Sequence, residues 1–85
     1  MKELVYNALK KYAEENNEEA IDWTKKQTKY IIKCDRKYNE LFIDFTSRLD
    51  QIMNQVYFTS IETARSAMEE IGEDMIKKYL FNIKE

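Results

Sequence analysis

The chain of 85 residues contains no histidine and no proline, a single glycine and a single cysteine. Without histidine there is no imidazole general base, no Ser-His or Cys-His pair and no histidine ligand for zinc. No catalytic residue, metal ligand or cofactor site is therefore assigned, and the chain is read as a non-enzyme. The lone thiol, Cys34, cannot close an intrachain disulfide, which favours a reducing cytoplasm over an oxidising compartment. Long apolar runs are also missing. The N-terminal stretch MKELVYNALKKYAEENN interleaves charge with its apolar residues, unlike a leader or a membrane span. A formal charge of -2 leaves no global bias toward nucleic acid or membrane, so any electrostatic role must come from local clusters.

Lack of glycine and proline also removes the usual turn residues of tight hairpins, and abundant Glu, Lys, Leu and Ile favour helices. The expected fold is a single all-α domain over residues 1–85 with three helices, at about 2–15, 18–58 and 60–83. In the first, Leu4, Val5, Ala8, Leu9, Tyr12 and Ala13 line one helix face. Asn16 and Asn17 interrupt it, and Asn16 with Glu19 has the spacing of a capping box that would start the second helix. Thr59 and Glu62 repeat that spacing at the start of the third helix. There Ile61, Ala64, Met68, Ile71, Met75, Tyr79 and Ile83 maintain an apolar face, so the helix is expected to continue through Gly72.

The central segment carries the architectural inference. Tyr38, Phe42, Phe45, Leu49, Ile52 and Val56 alternate in steps of four and three, the heptad seam of a coiled coil. A helix over 18–58 would be about 60 Å long at 1.5 Å per residue, too long for a compact small globule. A helical bundle completed by homodimerisation across the seam is the expected solution. The alternative is a compact monomeric four-helix bundle with a break near Cys34-Asp35.

Charge is sorted along the same segment. Lys25, Lys29, Lys33 and Lys37 recur every fourth residue and Lys26 lies close to that stripe, giving one basic face if the segment is helical. Trp23 and Tyr30 lie off the seam and are the aromatic candidates for partner contacts. The expected function is a non-catalytic protein-interaction module, an accessory regulator, inhibitor or assembly factor that binds a partner protein through Trp23, Lys25, Lys26, Lys29, Tyr30, Lys33 and Lys37. The alternative is a nucleic-acid-binding protein that tracks phosphates with the basic face of residues 25–37.

Two acidic clusters suggest a third, remote reading. Glu14-Glu15-Asn16-Asn17-Glu18 and Glu69-Glu70-Ile71-Gly72-Glu73 each resemble the EExxE element of the all-α NTP pyrophosphohydrolases. The resemblance implies a magnesium-dependent enzyme holding its metal between helices. The chain departs from that family's pattern, because its ExxD, Glu19 to Asp22, follows directly on the first cluster instead of lying on a later helix.

Overall fold

A computed structural model describes residues 1–83. Its elements run α1 (Lys2–Asn16), β1 (Lys29–Asp35), β2 (Glu40–Thr46), α2 (Ile61–Ile71) and α3 (Glu73–Leu80). The all-α expectation is overturned: a two-stranded antiparallel sheet stands where the long central helix was expected. The longest dimension of the molecule, 40 Å, has no room for a helix over 18–58. The coiled-coil seam, the helical bundle built on it and the four-helix alternative fall with that helix. The chain does reverse just after Asp35, but between two strands.

Local chemistry accounts for the hairpin. Tyr30, Ile31, Ile32, Phe42, Ile43, Phe45 and Thr46 are β-branched or aromatic residues that lose rotamer freedom in a helix and suit a pleated surface. Between the strands, the Asp35 carboxylate accepts a hydrogen bond from the Lys37 N–H at 2.9 Å, and Asn39 takes a left-handed φ of 53°. Asp and Asn tolerate such a turn because their short polar side chains bond the nearby backbone. Asn54 is also left-handed, with φ of 65°, so a helix cannot pass through either asparagine.

The seam residues scatter accordingly. Tyr38 lies in the turn, Phe42 and Phe45 project to opposite faces of β2, and Leu49 and Ile52 sit in the irregular segment after it. Of the six, Val56 alone is buried.

The helices hold one shared core. Val5, Leu9 and Ala13 of α1, spaced by one helical turn, pack with Ala64, Ala67 and Met68 of α2, Ile76 of α3, and Ile32, Val56 and Phe58. Leu9, Phe58 and Ile76 are fully enclosed, and each such side chain contributes about 1.5–3 kcal/mol by leaving water. Tyr30, Leu41 and Ile43 pack against this cluster from the sheet, so one face of the hairpin lies on the helices. Asn17 ties the end of α1 to the segment before α2, donating to the Tyr57 carbonyl and accepting from the Thr59 N–H. Asn17, expected only to interrupt the first helix, thus clamps two distant segments.

The C-terminal helix differs in detail from its expected form. Ser60, one residue beyond the expected Thr59, is the N-cap of α2, its hydroxyl accepting from the Thr63 N–H at 3.1 Å. Gly72 ends α2 with φ of 100°, its N–H bonded to the Met68 carbonyl. That backbone conformation favours glycine, so the helix expected to run through Gly72 is divided, and α3 sets off from it. Among the described residues no helix is long and apolar enough to cross a membrane.

Candidate functional site: the open edge of the hairpin

Strand register determines which backbone groups face outward. Residues pair as Lys29 with Thr46, Ile31 with Asp44, Lys33 with Phe42 and Asp35 with Glu40, alternating with Tyr30–Phe45, Ile32–Ile43 and Cys34–Leu41. Both main-chain groups of Tyr30 bond Phe58, its N–H donating at 2.8 Å and its carbonyl accepting at 2.9 Å. In an antiparallel pair, residues alternate between facing the partner strand and facing away. The groups of Tyr30, Ile32 and Cys34 therefore face away from β2, and those of Leu41, Ile43 and Phe45 face away from β1.

The two edges differ. Beside β1 run residues 54–58, joined by Leu80 and Phe81, and together with Ile32 they line a narrow crevice of about 130 Å³. Arg36, just after β1, donates to the Phe81 carbonyl, which ties the hairpin tip to the end of α3. Among the described residues Ile32 and Cys34 have no outward backbone partner, but the edge of β2 lacks even the covering segment that lies beside β1. Among the described residues the Leu41 and Ile43 main chains have no backbone partner beyond β1, and the Phe45 N–H is held by the Asp44 carboxylate at 2.8 Å. Around this edge Tyr38, Phe42 and Phe45 expose 64%, 44% and 71% of their surface, and Leu49, Ile52 and Met53 continue the apolar exposure beyond the strand.

The outer face of the sheet is divided between cover and solvent. At one end Lys29 is fully buried, its Nζ donating to the Arg48 carbonyl and lying 4.5 Å from the Trp23 ring centroid. Trp23 in turn meets Tyr57 edge-on at 4.8 Å. These contacts fasten the segments flanking the hairpin across that end. At the other end Lys33 Nζ reaches the Asp44 carboxylate at 3.0 Å beside Phe42. The Lys33 contact, together with the Phe45 N–H, holds the Asp44 pKa below its ordinary value. Arg48 similarly lowers Asp50, and Asp50 raises Arg48. Asp22 is lowered by bonds from the Thr24 hydroxyl and N–H.

The residues expected to form one basic, aromatic face are thus dispersed. Lys25 and Lys26 stand exposed in a turn after Trp23, Lys29 is inside, Lys33 is paired, and Lys37 lies 5.4 Å from the Tyr38 ring at the hairpin tip. Tyr30 faces the core, and Trp23 serves as the lid over Lys29. Of the acidic clusters, the first straddles the end of α1 and the second is divided at Gly72. Among the described residues no group of three or more His, Cys, Asp or Glu is arranged to hold a metal ion.

A second concavity, a broad open cleft of about 460 Å³, lies between α1 and residues 17–23, walled by Tyr6, Glu14, Trp23 and Tyr57. It is open to solvent, whereas the hairpin edge presents outward main-chain groups. Sequence reasoning missed that edge, although Phe42 and Phe45 were both singled out as contact residues of another kind. Neither a protein-family model, nor a curated protein, nor a solved structure gives a significant match to this chain.

Proposed function

We propose that this chain is a non-catalytic protein-interaction module that takes up an extended segment of another polypeptide along the outer edge of β2. The observation that carries the reading is the outward main chain of Leu41 and Ile43, without a backbone partner among the described residues and set among exposed Tyr38, Phe42 and Phe45. An added strand would satisfy those amide and carbonyl groups, and its alternating side chains would meet the aromatic residues on either face. Soluble proteins ordinarily blunt a free edge with lysine, proline or a covering loop. Here exposed rings stand alongside Glu40 and Asp44 on that edge, and rings dominate the buried centres of protein interfaces. The cytoplasm remains the expected compartment, on the strength of the lone Cys34.

The test is site-specific photo-crosslinking in the cells that make the protein. A photoreactive phenylalanine analogue replacing Phe45 should yield a polypeptide adduct, whereas the same analogue replacing exposed Leu4 on α1 should not. The adduct should disappear on Ile43→Pro, which deletes an outward N–H that β1 does not use. No adduct from Phe45, or equal adducts from both positions, would contradict the reading.

A further inference from the structure

We infer that the strand received by β2 is β2 of a second copy of this chain, running antiparallel about a two-fold axis at Ile43. The inference rests on the strand-addition reading above and adds the identity and register of the partner. In a symmetric antiparallel pairing, outward-facing residues lie opposite outward-facing residues, here drawn from Leu41, Ile43 and Phe45.

Three registers set two or more of these residues opposite one another, and charge selects among them. Centred on Phe42, the pairing sets Glu40 against Asp44 of the second copy, twice by symmetry. Centred on Asp44, it sets that carboxylate against itself. Like charges directly opposed across a sheet are destabilising. Centred on Ile43, it sets Ile43 against Ile43, Leu41 against the second copy's Phe45, Phe42 against the second copy's Asp44, and Glu40 against the second copy's Thr46. No like charges meet.

The same register covers what the protomer leaves exposed. Phe45, 71% exposed at the end of the core-side face, comes to lie against Leu41 of the other copy. Phe42, on the opposite face, comes to lie beside the second copy's Lys33–Asp44 pair, which stays intact. One local bond is exchanged: the Phe45 N–H leaves the Asp44 carboxylate for the second copy's Leu41 carbonyl. The product is a four-stranded sheet in the order β1-β2-β2-β1, in place of a two-stranded ribbon that is marginal by itself.

Sedimentation of the purified full chain, from low micromolar to millimolar concentration, should show a transition from 10.3 kDa to twice that mass. Hydrogen exchange followed by NMR over the same range should show the Leu41 and Ile43 amides gaining protection with the dimer. The register is read by oxidising single-cysteine variants in a Cys34→Ser background. Paired Cα atoms about 5.5 Å apart can form a disulfide, whereas positions offset by two residues are too far apart. Ile43→Cys should cross-link, and Phe42→Cys and Asp44→Cys should not.

A 10.3 kDa species at every concentration would overturn the inference. It would leave strand addition standing if Phe45 still cross-links a different polypeptide in cells. A dimer whose Leu41 and Ile43 amides stay unprotected, or one that cross-links through Phe42→Cys in preference to Ile43→Cys, would also overturn it. The exchange experiment needs no variant, so a misfolded cysteine mutant does not rescue the idea.

Discussion

Truncating two phenylalanines to alanine separates the observed fold from a helical seam. Phe58 is fully buried at the junction of α1, α2 and the sheet, with its main chain bonded to Tyr30, whereas Phe45 is 71% exposed. Phe58→Ala leaves those backbone bonds possible and empties the core of a ring, which costs about 3–5 kcal/mol in well-packed proteins. A domain of this length has a total stability of about 4–13 kcal/mol, from 0.05–0.15 kcal/mol per residue. The variant therefore loses a large fraction of its stability or fails to fold. Phe45→Ala removes a ring that is already wet, and the expected loss is within about 0.5 kcal/mol.

The assay is urea unfolding followed by circular dichroism, at a concentration where sedimentation shows the protomer alone. With a slope of about 1–3 kcal/mol per molar urea, Phe58→Ala should lower the midpoint by more than about 1 M and Phe45→Ala hardly at all. The heptad pattern implies the reverse emphasis, because it places Phe45 in a buried seam where an aspartate would set a charge. The structure implies that Phe45→Asp stays folded. Equal losses from the two alanine variants, or a larger loss at Phe45, would refute this assignment of core and surface.

Gly72→Ala should lower stability by about 1–2 kcal/mol, because φ of 100° strains an L-residue even though the added Cβ meets only Met75 Cγ at 3.9 Å. An uninterrupted helix would instead gain about 1 kcal/mol from the same change, so thermal denaturation reads the answer from its sign. Asn17→Ala deletes the clamp on Tyr57 and Thr59. Its unfolding free energy should fall by about 1–3 kcal/mol if both backbone groups lose their partner. Asp44 and Asp50 titrate below their ordinary values in the folded chain. Their contribution is complete above the ordinary carboxylate range and is lost as pH falls through the lowered folded values. Unfolding midpoints measured on acidification should therefore drop, with a shallower drop in Asp44→Asn.

Local signals were legible in the sequence where the chain's structure is local. The spacing of Val5, Leu9 and Ala13 revealed α1, and the serine-threonine pair before Ile61 marked the start of α2. The hairpin was hidden because a step of four residues fits both periods. Lys25, Lys29, Lys33 and Lys37 line one side of a helix, yet Lys29 and Lys33 equally share one face of a strand. The steps of three that completed the seam, as from Phe42 to Phe45, instead carry the chain to opposite faces of β2. The contrary cues were the run Tyr30-Ile31-Ile32 and the turn residues Asp35 and Asn39, outweighed by the lack of glycine and proline.

The candidate site was less legible still. Which edge of the hairpin stays open depends on Phe58 pairing with Tyr30 across a long sequence separation, and no local pattern encodes that contact. The burial of Lys29 under Trp23 is likewise a tertiary event, since nothing distinguishes this lysine from its neighbours in the sequence.

Amide hydrogen exchange over residues 29–46 in the dilute protomer tests the hairpin and its free edge together. The Ile31, Lys33, Phe42 and Asp44 amides should exchange slowly, because they bond across the two strands, while Leu41 and Ile43 exchange fast on the open edge. Protection that runs unbroken through the segment, as in a helix, or slow exchange at Leu41 and Ile43 in the isolated protomer, would contradict this structure and the function built on it.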